Sequence, residues 1–213
     1  MRDRFRRVFP GLFVLGKAIS LTYSSRSFLV QSGFFESVRR KKPCRRDGTP
    51  IPWMNYAMIE FLENRLVRNM TVFEYGSGNS TLYFSDRVAS VTSVECDAGW
   101  YDYIKDGMPD NVTLINVDAN DGYVESINKL EQRFDLILVD AEHRNDCLRH
   151  APAFLTERGV ILLDDAQRAE YDEGIAAVLA AGFREMPFNG LKAGGVKRYR
   201  TTVFYRDGNV FGI

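Results

Sequence analysis

The sequence is short of the residues that build disulfide scaffolds and zinc fingers. Its 213 residues hold three cysteines, Cys44, Cys96 and Cys147, an odd number with no C-x-x-C pair. That excludes a disulfide framework or a cysteine-built zinc site and fits a reducing, cytoplasmic setting. No uninterrupted apolar run reaches the roughly 18–20 residues that span a bilayer. There is no internal repeat and no low-complexity tract, which excludes solenoids and fibrous chains. Net charge is also missing, because 28 Lys and Arg meet 28 Asp and Glu. With 45% hydrophobic residues, the chain has enough apolar material for one soluble globular domain of ordinary size and a short appendage.

The zero balance hides two unlike pieces. Through Asp47 there are 12 basic and 3 acidic residues, a net +9, and the remainder carries −9. Residues 1–48 therefore read as a basic N-terminal extension and 49–213 as the main domain. The stretch 1–16 mimics the basic and apolar regions of a secretory signal, but Lys17 cuts it short and no small-x-small cleavage site follows. The open alternatives are an ordinary surface helix covering the sheet and a basic, aromatic arm making peripheral contact with anionic lipid or a partner. The basic loop 39–48 has little aromatic interleaving, which argues against nucleic acid.

Beyond it, 50–68 places Trp53, Ala57 and Phe61, with Met58, Leu62 and Leu66, on one helical stripe expected to face the core. From Thr71 onward, apolar β-branched runs alternate with helical patterns. The runs fall at 71–75, 91–95, 112–118, 134–140 and 159–164. Short runs of this kind are parallel strands buried on both faces and joined by right-handed crossovers. An alanine-rich helix at 171–181 stops at Gly182. Runs at 183–188 and 201–206 then predict a terminal hairpin. The expected architecture is three-layer α/β: a Rossmann-like, seven-stranded, mostly parallel sheet with an antiparallel last strand, plus an N-terminal helical extension.

Four of the five parallel runs end in an acid: Glu95, Asp118, Asp140 and Asp164. In an open α/β sheet, ligands bind beyond the carboxyl ends of the strands, so these acids share one rim, although such acids also cap helices. Between the first run and its helix lies Glu74-Tyr-Gly76-Ser77-Gly78-Asn79-Ser80-Thr81. Glycines there admit a ligand close to the backbone, and the helix start offers free N–H groups. Glu95, seventeen residues past Gly78, is placed to accept hydrogen bonds from both hydroxyls of a ribose. Position 81 is threonine rather than the third glycine of G-x-G-x-x-G, which does not favour NAD.

These motifs resemble class I S-adenosylmethionine-dependent methyltransferases over about residues 71–206. The resemblance implies that Gly76, Ser77, Gly78, Asn79 and Ser80 pass under the cofactor's amino-acid part. Glu74 would contact its ammonium, Glu95 its ribose and Asp118 its adenine amino group, with Asn120 or Asp121 as substitutes for Asp118. The fourth and fifth run ends, Asp140-Ala-Glu-His143 and Asp164-Asp165, are similar to a metal-dependent subgroup of O-methyltransferases that includes enzymes acting on sugar hydroxyls. That likeness implies Mg²⁺ at Asp140, Asp164 and Asp165, and His143 as general base beside Asp140. Hard Mg²⁺ suits carboxylate oxygens and would lower an alcohol's pKa.

On the residues alone, His143 could equally cap a helix, and Arg144 and Arg168 are expected to pair the acids. Trp100 or Tyr101 could stack on adenine or simply pack. His150 reads as structural or exposed. The functional expectation is O-methylation of a small-molecule or saccharide hydroxyl. An aminopropyl-transferring or nucleotide-dependent enzyme on the same scaffold remains open, as do a non-catalytic binding protein and a homo-oligomer.

Overall fold

The computed structural model describes residues 7, 8 and 10–213. Its centre is a seven-stranded sheet in the order β3-β2-β1-β4-β5-β7-β6. The strands are β1 (Thr71–Tyr75), β2 (Ser90–Glu95), β3 (Val112–Asn116), β4 (Phe134–Val139), β5 (Leu155–Leu163), β6 (Arg184–Gly190) and β7 (Tyr199–Tyr205). The pairs from β3 through β5 are parallel, while β7 runs antiparallel to both β5 and β6. The expected mostly parallel sheet with an antiparallel last strand is what the chain forms.

Alternation along the strands builds two apolar layers. Val72, Leu136, Leu138 and Leu162 face helices α4 (Tyr56–Glu63) and α5 (Asn79–Ser85) through Met58, Leu62 and Phe84. Phe73, Ile137, Val139 and Ile161 face the other way, onto α7 (Arg144–His150) and α8 (Asp172–Ala180) through Leu148 and Val178. Period-2 burial on both faces is what near-continuous apolar runs produce in a covered sheet. Helix α6 (Ala98–Ile104) buries none of its residues and borders the rim instead.

Three expectations are corrected in detail. The helix expected over 50–68 is only Tyr56–Glu63, because the Asn55 side chain accepts from Met58 N at 3.0 Å and fixes the start. Its buried face is Tyr56, Met58, Ile59 and Leu62, so Ala57 and Trp53, both expected on the core-facing stripe, lie exposed instead. Strand β3 stops at Asn116, and Asp118 instead closes a turn by accepting from Asn120 N at 2.9 Å. Strand β5 starts earlier than expected, at Leu155, with a register shift opposite β4.

The extension contributes α1 (Pro10–Tyr23), α2 (Phe28–Gln31) and α3 (Phe34–Arg40). Its later part packs on the main body: Phe34 joins the same core cluster as Met54 and Leu62, and Cys44 is buried. The Ser37 hydroxyl bonds the Cys44 carbonyl at 2.9 Å, which folds the basic loop back toward the strand rim.

Candidate functional site

The turn after β1 is built around Glu74 and Gly76. Gly76 has φ +95, and a Cβ there would fall 2.5 Å from the carbonyl oxygen of Asp140. Only glycine fits this crossing of β1 and β4. Gly76 N donates to Val94 O at 2.8 Å, and the Ser93 hydroxyl donates to Gly76 O at 3.0 Å. Directly before the turn, Glu74 is fully buried with neither carboxylate oxygen hydrogen-bonded. Burial, reinforced by the nearby charge of Asp140, pushes its pKa up to about 8 against the pull of the Thr81 and Ser80 hydroxyls. A buried acid without a partner is costly unless a ligand supplies the opposite charge.

The turn continues toward β2. Ser77 N donates to Glu95 Oε2 at 3.1 Å, and Asp97 N donates to Oε1 at 2.9 Å, so Glu95 is fixed at the strand end by backbone donors. Asp97 caps α6 by accepting from Trp100 N, and the Trp100 indole donates to Ser77 O at 2.9 Å. From the other side, Asn79 donates to Pro43 O at 2.6 Å, which lays the basic loop across the turn. A cavity of about 180 Å³ results, walled by Lys41, Lys42 and Trp53 on one side and by Ser77–Ser80, Trp100 and Asp140 on the other. Next to it, a cleft of about 540 Å³ runs between Arg40–Lys42 and the aromatic rings of Trp100 and Tyr103. Of the expected cofactor residues, Ser77, Gly78, Asn79, Ser80 and Asp140 line the cavity, while Glu74 and Gly76 are not part of its wall: Glu74 is fully buried just before the turn. Glu95 stands beside it; Asp118 is exposed beyond the end of β3.

These residues suit an S-adenosylmethionine site. The orphaned carboxylate of Glu74 meets the need of an ammonium, and Gly78 leaves its backbone open at the cavity wall, where a Cβ would meet only the Trp100 ring at 3.9 Å. A carboxylate fixed at the end of β2 suits a ribose.

The acids at the ends of β4 and β5 do not form the expected Mg²⁺ site. Asp140 pairs with Arg144 at 2.8 Å. Asp164 is fully buried and receives Lys192 Nζ at 2.5 Å and the Thr201 hydroxyl at 2.6 Å. Asp165 receives the same ammonium at 2.6 Å and Arg168 at 2.9 Å. The ammonium of Lys192 thus takes the place between Asp164 and Asp165 that a cation would need. Among the described residues, no three His, Cys, Asp or Glu side chains converge as metal ligands. The donor set of Asp140, Asp164 and Asp165 does not fit Mg²⁺, because each carboxylate already has a cation of the chain's own.

Burial and the charge of Asp140 push Asp164 up to about 7, with Lys192 pulling the other way. Burial also works to raise Asp165, but the Lys192 hydrogen bond and charge hold it below the usual carboxylate range. Lys192 stays raised because Asp164 and Asp165 outweigh its desolvation.

His143 opens α7 in the left-handed region, φ +52, and its imidazole is exposed with no hydrogen bond. It follows Asp140 by three residues but does not wall the cavity. His150 is structural: its Nε2 lies 2.6 Å from Asn128 Oδ1, and its ring stacks on Phe154. The expected pairing of Arg144 and Arg168 with the acids holds.

Lys192 and Pro43 were not singled out by sequence, and Trp53 was expected on a core-facing stripe rather than at the cavity wall. Lys192 was visible only as one of several cations in the loop between the last two runs. Its burial depends on Asn55, which bridges to it in backbone pairing and donates to Thr201 at 3.0 Å.

Residues 73–166 match the family model described as a methyltransferase domain. No curated protein matches the chain in sequence. Several solved structures share its fold. One is precorrin-6y C5,15-methyltransferase from Geobacter metallireducens, at 15% identity and TM-score 0.54, covering 69% of this chain and 86% of that one. Another is precorrin 8w decarboxylase from Methanobacterium thermoautotrophicum, at 18% identity and TM-score 0.56, covering 75% and 94%. The N-methyltransferase NodS from Bradyrhizobium japonicum matches at 12% identity and TM-score 0.51, covering 69% and 92%.

Proposed function

We propose that the chain is a class I S-adenosylmethionine-dependent methyltransferase, in keeping with the methyltransferase-domain match over residues 73–166, and that it methylates a hydroxyl oxygen of a small molecule or saccharide. The observation that carries this reading is the buried, unpaired Glu74 beneath the Gly76 turn, with Glu95 fixed by two backbone donors at the end of β2. Glu74 would hold the cofactor's ammonium, Ser77–Ser80 its amino-acid backbone and Glu95 its ribose. The adenine would lie toward Asp118. When bound, the cofactor supplies an electrophilic methyl group.

Choice of oxygen rests on the residues around the acceptor. His143 presents a free imidazole next to the β4 end and would take the hydroxyl proton on a ring nitrogen. Arg144 fixes Asp140 in place beside it at 2.8 Å. Lys192 between Asp164 and Asp165, with Arg168 on Asp165, supplies the positive charge that balances these carboxylates. The Trp100 and Tyr103 rings beside Arg40–Lys42 suit an acceptor with an apolar ring face and polar or anionic substituents, as many saccharides have.

Isothermal titration of the full chain with S-adenosylhomocysteine tests the donor half. Micromolar binding that Glu95→Ala weakens at least about a hundredfold is expected, since two ribose hydrogen bonds to a charged group would be lost. No binding at millimolar ligand would sink the reading. A methyl-transfer screen over hydroxyl, amine and carbon acceptors then tests the choice of oxygen.

A further inference from the structure

Helix α1, Pro10–Tyr23, buries none of its residues. Leu12, Leu15, Ile19 and Tyr23 recur at spacings of three, four and four, which sets them along one helical face. They are 58, 55, 52 and 80% exposed. Lys17 falls on the other side of the helix, flanked there by Val14 and Leu21, which are exposed as well. A continuous apolar stripe of this size, left in water, marks a surface that something covers. Helices this short are also marginal on their own, so what covers the stripe stabilises the helix as well.

We propose that α1 lies in the plane of an anionic membrane surface, with its stripe in the lipid and its charged flanks among the headgroups. The helix measures about 21 Å at 1.5 Å per residue, too short for a hydrocarbon core of about 30 Å, so it lies on the bilayer rather than crossing it. Among the described residues, no helix is long and apolar enough to cross a membrane.

Charge selects lipid over the other occupants. The chain through Asp47 carries 12 basic against 3 acidic residues, and Arg7, Lys17, Arg26, Lys41 and Lys42 are all exposed. Two such segments repel one another, which disfavours pairing of α1 with the α1 of a second copy. An anionic surface attracts them, while the remaining −9 of the chain turns the main body away from it. Apolar stripe and basic flanks together are the two signals that stable interfacial binding requires.

The test is co-sedimentation of the full chain with vesicles of phosphatidylcholine alone and of phosphatidylcholine with phosphatidylserine in roughly a 2:1 ratio. Binding to the anionic vesicles should be at least about tenfold stronger and should weaken as salt rises from roughly 0.05 to 0.5 M. A Leu12→Asp, Leu15→Asp double variant should lose it with an unchanged circular dichroism spectrum and melting temperature, since neither side chain is buried. Equal binding to both vesicles, or retention of binding by the double variant, would overturn the proposal. So would a wild-type chain that ignores vesicles but forms a dimer which the double variant splits; that result gives the stripe to a second copy. A wild-type chain that is monomeric and ignores both vesicles overturns it as well.

Discussion

The ammonium of Lys192 lies 2.5 Å from Oδ2 of Asp164, with 9% and 1% of the two side chains left accessible. This pair joins the β6–β7 loop to the end of β5, and Lys192 reaches Asp165 as well. Breaking a buried pair by removing one partner leaves an uncompensated charge and costs roughly 3–5 kcal/mol. Lys192→Met should therefore lower stability by about that much in urea unfolding near pH 7, and adding Asp164→Asn should restore part of it. A single variant within about 1 kcal/mol of wild type would show that the pair contributes little. Because the carboxylates already hold a cation, methyl transfer by the wild-type enzyme should be indifferent to EDTA; restoration of lost activity by Mg²⁺ would mean that this loop opens.

The second prediction concerns Glu74. Its pKa rises from 4.5 in the unfolded chain to about 8 in the fold, chiefly because burial penalises the carboxylate. The folded state then binds more protons than the unfolded state between those two values, and stability falls as pH rises. The contribution is fully present below about pH 4.5, declines by at most about 1.4 kcal/mol per pH unit, and is lost above about 8. Glu74→Gln should flatten this part of the stability–pH curve and leave the variant more stable than wild type at pH 8.5. An ammonium bound beside Glu74 requires the ionised form, so S-adenosylhomocysteine binding should release protons near pH 7. Titrations in two buffers of different ionisation enthalpy measure that release. Identical apparent enthalpies would contradict the assignment.

How far the sequence could be read depended on the range of the forces involved. Parallel strands buried on both faces leave β-branched runs that stand out locally, so the sheet and its antiparallel end were legible. So was the glycine turn, because Gly76 and Glu95 answer to local backbone needs at fixed spacing. The start of α4 was not, since Asn55 is held by Phe188 O and Thr201, more than a hundred residues away in sequence. The metal expectation failed for the same reason. Asp164 and Asp165 look free in sequence, and their partner Lys192 arrives only when β7 folds back antiparallel onto β5. Nothing near Asn79 announces that Pro43 would lie across it.

The last prediction isolates His143 from the backbone it sits on. Its φ of +52 belongs to the left-handed region, where asparagine is among the few non-glycine residues that settle readily. His143→Asn should therefore keep the start of α7 and the melting temperature while removing the proton acceptor. If the imidazole takes the hydroxyl proton, kcat should fall by about 10²–10⁴ with S-adenosylhomocysteine affinity unchanged. An alanine at the same position would confound the loss of the base with backbone strain, so asparagine is the more discriminating change. Turnover within about twofold of wild type would remove His143 from the chemistry. It would then read as the helix-starting residue that its backbone already makes it.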